Sequence, residues 1–233
     1  FTAPHANHDL AIGAGWAWKT WERESRRWAK KDVEHLISVH REQFSNLKTP
    51  LVVSGRPVKA VIHCFLKNDH DLIVAGAPFR GMTPEPLARR FQREIRQTAR
   101  DLPLWIVNDF RPVKTVTALT DGSYPAEKAL GFLNRMAYTL NVDITLVGIN
   151  ETEHPAVDRA ELNLERGFAI LREKRIDAKG MALRDRNQGG FKARLAQTDL
   201  LVLPFSSPAC LSLFNSPGIN FPSMLFYLSG DKT

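Results

Sequence analysis

Several protein classes are excluded by what this chain lacks. Two cysteines in 233 residues cannot build a disulfide framework, so reduced thiols in a cytoplasmic compartment are expected. No apolar run approaches the roughly 20 residues needed to span a bilayer; Leu200-Leu-Val-Leu203 stops at Pro204. The chain opens on Phe1 without the charged start, apolar core and small-residue cleavage site of a signal peptide. It is expected to begin inside a longer chain or after processing. Neither a Walker sequence nor Gly-x-Ser-x-Gly occurs. The seven histidines show no ligand spacing with cysteine or carboxylate. His63 and Cys64 are adjacent on a helical stretch, where neighbours point about 100° apart and are badly placed to share a proton. Catalysis and a resident metal are therefore not expected.

The composition that remains is that of a folded domain: 43% hydrophobic, 24% charged, with 14 Gly and 14 Pro. The formal charge is +7, and nearly all of the excess lies in residues 1–112, concentrated in Arg23–Lys31 and Arg89–Arg100. No nucleic-acid-binding motif accompanies it, and Glu22, Glu24, Asp32 and Glu94 are interleaved with the basic side chains. A solvated helical face is expected, and no nucleic-acid partner.

Periodicity gives the organisation. Val113–Leu119 is short and β-branched and closes on Thr120-Asp121-Gly122-Ser123, a strand and its turn. Ala126, Leu130, Leu133, Ala137 and Leu140 then form one helical stripe, with Pro125 in the first turn. Asp143–Ile149 returns to strand, and 155–174 reads as a second helix. Ile176–Leu183 is a weaker strand and 190–197 a short helix. Asp199–Pro204 and Ser223–Leu228 are apolar strands of the kind buried on both faces. Strand–helix alternation implies right-handed crossovers in a mostly parallel sheet.

The first half repeats the later part of this pattern. Pro50–Val53 reads as a strand, and Pro57 opens a helix with Val58, Val61, Ile62 and Phe65 inward. Asp71–Gly76 matches Asp199–Pro204, a helix follows from about Pro84 to Arg100, and Leu102–Val107 matches Phe221–Phe226. Asp71 precedes Asp199, and Pro103 precedes Pro222, by the length of a small α/β domain. That is a tandem duplication.

With these residues in place the chain resembles the universal stress protein family in its two-domain form. Val116-Thr-Ala-Leu-Thr-Asp121-Gly122-Ser123 followed by Ala126 and Ala129-Leu130 matches the family's strand, Asp-Gly-Ser turn and Ala/Leu-rich helix. Val53-Ser-Gly55-Arg-Pro57, Asp71–Gly76 and Pro103–Val107 carry the rest. The resemblance implies two open parallel sheets of order 3-2-1-4-5 with helices on both faces, in domains 1–112 and 113–233. It also implies that each final strand forms contacts between domains or subunits. The first copy has no counterpart of Val113–Ile149. A segment of about 40 residues before Phe1, or another chain, is expected to supply its first two strands, since that domain should not fold without them.

The family's ATP-binding branch cradles phosphate in a glycine loop after strand four, Gly-x2-Gly-x9-Gly-Ser/Thr. Here the first copy offers Gly76-Ala-Pro-Phe-Arg80-Gly81, with the wrong spacing and no later glycine before Asp101. The second copy, Pro204-Phe-Ser-Ser-Pro-Ala209, has none. Asp121 matches the family aspartate that approaches base or ribose. No cofactor is expected; if ATP or AMP binds, Asp121, Gly76, Arg80 and Gly81 are the residues implied. The expected role is stress-associated regulation through protein contacts or self-association as a dimer. A cytoplasmic regulatory domain of a membrane transporter is a further alternative. Trp18, Trp21 and Trp28, set among Lys19, Arg23, Arg26, Arg27 and Lys30, are the partner-contact candidates. An acidic membrane surface is the less favoured use of the same helix.

Overall fold

A computed structural model describes residues 15–39, 52, 56–76, 85–98, 100–109, 111–137, 141–150, 159–183, 188–205 and 221–230. The chain divides into two compact units, Phe1–Asn68 and Asp69–Thr233.

In the first unit, α1 runs Gly15–Val39 and α2 runs Pro57–Lys67. The charges of α1 pair along the helix, Arg26 with Glu22 at 2.7 Å and Lys30 with Glu34 at 3.7 Å, as interleaved signs at i,i+4 spacing allow. Pro57 opens α2, where its missing N–H costs nothing. Asn68 closes it by donating from Nδ2 to the Cys64 carbonyl. Ile62 and Phe65 are buried as expected, whereas Val61 is exposed. The i,i+3 step from Ile62 to Phe65 sets the inward face, and Val61 lies about 100° away from Ile62. Of the strand expected at Pro50–Val53, only Val52 is described, and it is in neither helix nor strand.

The second unit carries β1 (Ile73–Gly76), α3 (Glu85–Ile95), β2 (Leu102–Val107), β3 (Thr115–Thr120), α4 (Tyr124–Ala137), β4 (Asp143–Gly148), α5 (Arg159–Arg172), β5 (Ala178–Ala182), α6 (Gln188–Ala196), β6 (Leu200–Pro204) and β7 (Ser223–Leu228). All seven strands form one sheet, in the order β1-β2-β7-β6-β3-β4-β5. Every pairing is parallel except β2 with β7, where Leu102 faces Leu228 and Val107 faces Ser223. Two sheets were expected. Instead, β1 and β2 join the strands of the second half, because an antiparallel ladder along β7 satisfies the backbone of β2 on its second edge. The stretches matched by sequence do not pair in the same register. Leu200 stands opposite Ser223, but Leu104 stands opposite Ile73, one residue past Leu72, its match by sequence.

Strand alternation divides the core into two layers. Val116, Ala118, Ile144, Leu146, Leu200, Val202 and Leu225 pack with Ala129, Leu130, Phe132 and Leu133 of α4 and Leu171 of α5. On the opposite face Phe226 meets Phe205 edge to face at 5.5 Å. β6 is buried along its whole length, as its apolar run predicts. At the sheet edge, Val74 of β1 is 60% exposed, whereas α4 covers this face over β6 and β7.

Polar anchors fix where β3 and β6 start. Asp199 Oδ2 accepts from the Lys114 and Thr115 amides at 3.0 and 2.9 Å and from Thr115 Oγ1 at 2.9 Å. Arg111 Nη2 lies 2.9 Å from Oδ1, and the buried Thr117 and Thr198 hydroxyls share a hydrogen bond of 2.7 Å. Burial pushes the Asp199 carboxyl up, but these amides, the Thr115 hydroxyl and the Arg111 charge outweigh it and hold it below its ordinary value. At the other end of the sheet, Asp101 accepts from Tyr124 Oη at 3.2 Å, Ser229 Oγ at 3.2 Å and the Gly230 amide at 3.3 Å. Burial, with the Asp101 charge beside it, pushes the neighbouring Tyr227 phenol up to about 12.

Two predictions test these anchors. Asp199→Asn costs about 1–3 kcal/mol at neutral pH in urea denaturation. A depressed carboxyl stabilises the fold above its unfolded value and loses that contribution as acid protonates it. The gap between the two proteins therefore closes as the pH falls below 3.8 and through the lowered folded value. In a spectrophotometric titration, Tyr227→Phe removes phenolate absorbance that the parent develops near pH 12. Because that value is raised, the stability it reports is intact below 10.0 and disappears as the pH climbs through 12.

Candidate functional site

The carboxyl ends of parallel strands form a crest wherever adjacent connections diverge, and ligands of open α/β sheets bind there. On β3 this crest is the turn Asp121-Gly122-Ser123. Asp121 is buried, and its Oδ1 accepts from the Ser123 amide at 2.9 Å and from Ser123 Oγ. Ser123 Oγ in turn accepts from the Ala126 amide at 3.4 Å, and its carbonyl accepts from the Glu127 amide at 3.0 Å. The aspartate thus orders the serine that caps α4.

The second oxygen has another status. Asp121 Oδ2 is buried and has no hydrogen-bond donor among the described residues. A buried carboxylate oxygen left unpaired is costly, more so than a neutral acceptor. Asn150, just past the adjacent β4, presents a second such acceptor in its Oδ1. The two ends are tied together by the Ile149 amide donating to the Thr120 carbonyl at 2.9 Å.

α5 closes the crest from one side. Asn163 donates from Nδ2 to the Ile149 carbonyl at 2.9 Å, and its Oδ1 occupies the space a Cβ on residue 122 would need. Gly122 has φ +73°, a conformation that side chains resist. Gly148 is similarly confined, since a Cβ there would meet the Ala160 carbonyl at the start of α5. Arg166, one turn beyond Asn163 on the same helical face, brings Nη1 to 3.7 Å from that same position at residue 122.

Of the four residues implied for nucleotide binding, Asp121 and Gly76 are among the described residues. Gly76 ends β1, which runs opposite to β3 because of the antiparallel joint, so Gly76 and Asp121 lie at opposite ends of the sheet. A Cβ on Gly76 would meet nothing. Arg80 and Gly81 lie outside the described residues, as does the stretch 206–220 after β6. Trp21 and Trp28 of α1 are exposed, Trp28 at 68%; the side chain of Trp18 is outside the described residues. Asn150, Asn163 and Arg166 were not anticipated. One signal was present: Asn163 falls on the buried stripe Ala160, Asn163, Gly167, Leu171, where a polar residue requires a partner.

This arrangement of strands has known counterparts. A universal stress protein from Archaeoglobus fulgidus DSM 4304 superposes with a TM-score of 0.61 over 97% of this chain and 84% of its own, at 13% identity. The chain has the universal stress protein fold. Shorter relatives of that fold align with about half of it: a universal stress protein in complex with cAMP at 16% identity and TM-score 0.35, covering 50% of this chain and 97% of its own. Another, from Archaeoglobus fulgidus in complex with dAMP, aligns at 15% identity and TM-score 0.38, covering 49% and 97%. No family model and no curated relative matches the sequence. Among the described residues no helix is long and apolar enough to cross a membrane, and no cluster of three metal-ligating side chains occurs.

Gly122→Ala tests the crest. The positive φ and the displaced Asn163 amide together cost about 2–3 kcal/mol, read as a lower urea midpoint with unchanged slope.

Proposed function

We propose that this universal-stress-type protein is a non-catalytic regulatory binding protein and that its Asp121 crest takes a nucleoside-class ligand. The observation carrying this reading is the buried Asp121 Oδ2, which lacks a donor among the described residues. Ribose hydroxyls or an exocyclic amine supply donors of the kind it lacks, and Asn150 Oδ1 on the neighbouring strand end offers a second acceptor to the same molecule. A triphosphate is not the favoured ligand, because Pro204–Ala209 contains no glycine to bring backbone amides against phosphate.

In this reading the chain carries two copies of one α/β unit, 1–112 and 113–233, and functions in the cytoplasm. Ligand occupancy would be reported through protein contacts. Exposure of Trp28 among paired basic residues supports a contact role for α1, with self-association the simplest form of it.

The test is calorimetry of the 233-residue protein with adenosine, after any retained ligand is identified by denaturation and chromatography. Saturable binding is expected, weakened by about tenfold or more in Asp121→Asn, whose amide N–H2 would confront the ligand's donors. Absence of binding at millimolar adenosine, or equal affinity in the variant, removes the nucleoside reading and leaves protein contact through α1 as the function.

A further inference from the structure

We propose that the outer edge of β1 is a docking site for an extended segment of another protein, which joins the sheet as an additional parallel strand. This surface involves neither the Asp121 crest nor α1. β1 and β6 come from the matched apolar stretches Asp71–Gly76 and Asp199–Pro204. In the sheet the matched valines share one row: Val74 stands opposite Trp105, Trp105 opposite Leu225, and Leu225 opposite Val202. They therefore point to the same face. The two strands are nevertheless used differently. β6 is hydrogen-bonded on both edges, to β7 and to β3, and is buried throughout. Among the described residues β1 is hydrogen-bonded only to β2, and Val74 is 60% exposed where Val202 is wholly buried.

Asp71 gives the edge its direction. Its match, Asp199, stands just before β6 and holds the start of the strand beside it, accepting from the Lys114 and Thr115 amides at 3.0 and 2.9 Å. Asp71 stands just before β1, is exposed, and accepts no hydrogen bond among the described residues. Its carboxylate is placed to take the first amides of a strand running parallel to β1, as Asp199 does for β3. An antiparallel strand would bring its last residues there instead. Exposed edges are ordinarily blunted by charge, proline or a bulge; Ile73-Val-Ala-Gly76 carries neither charge nor proline. The occupant that fits has the chemistry of β3: short, β-branched and apolar, with main-chain pairing for affinity and side chains laid beside Val74 for specificity.

The experiment uses the full chain and a fluorescent peptide with the sequence of residues 113–121, which contains β3 and the two amides that Asp199 holds. Anisotropy should show saturable binding, and peptide should slow hydrogen exchange at the outward amides of Ile73–Gly76. Asp71→Asn, an exposed change that leaves the urea midpoint in place, should weaken the peptide about tenfold by removing a charge-assisted acceptor. Val74→Lys should abolish binding by charging the edge, and a peptide of reversed sequence should not bind. No saturation at millimolar peptide, equal affinity in Asp71→Asn, or protection confined to the other outer strand, β5, would each overturn the proposal. Exchange at Ile73–Gly76 that slows with protein concentration in the absence of peptide would overturn it too, by showing that β1 pairs with a second copy of this chain.

Discussion

The second unit depends on the antiparallel ladder between β2 and β7. An open parallel sheet normally ends in strands whose outer edges are exposed or covered. Here β2 and β7 use each other for that purpose, from Leu102 opposite Leu228 to Val107 opposite Ser223. This joint reverses the direction of β1 and β2 relative to the other five strands. It therefore decides that the carboxyl ends of β1 and β3 face opposite ways, and that Asp121 stands on a crest Gly76 cannot share. The Asp101 cluster marks the point where the joint meets that crest: Tyr124, the first residue of α4, bonds to the carboxylate that also holds Ser229 and Gly230 after β7.

At the crest itself one carboxylate serves two purposes. Oδ1 of Asp121 is used structurally to orient Ser123 and cap α4, and the sequence Asp-Gly-Ser announces that function by local chemistry alone. Oδ2 is surplus to the cap. Its burial without a donor among the described residues is the observation on which the ligand proposal rests, because an exposed oxygen would be satisfied by water. Gly122 belongs to both purposes: its positive φ lets the chain turn, and its missing Cβ lets α5 approach.

Strand positions were legible wherever apolar runs were bounded by turn residues. Leu102–Val107 and Ser223–Leu228 are strands from end to end, and Asp199–Pro204 loses only its aspartate, which turns to anchor β3. Less was readable where structure depends on distant partners. Nothing in Leu102–Val107 signals an antiparallel neighbour, since a strand buried on both faces has the same composition in either ladder. Val61 sits in a helix with more apolar positions than its buried face requires. Asn150 and Asn163 are ordinary polar residues in sequence, and their relevance appears only when β4 and α5 bring them to the end of β3.

The joint also has a kinetic side. β2 is made early in the second unit and β7 is its last strand, so the ribosome releases β2 well before its antiparallel partner exists. Ladders between segments so far apart in sequence form slowly, because closing the intervening chain costs entropy before any pairing repays it. During that interval β1, α3 and β2 expose Leu104 and Ile106, both fully buried in the finished sheet. Such surface is what chaperones bind and what misassembly recruits. Release of β7 is the event that completes the sheet, which makes the last strand the natural control point of the molecule's biogenesis.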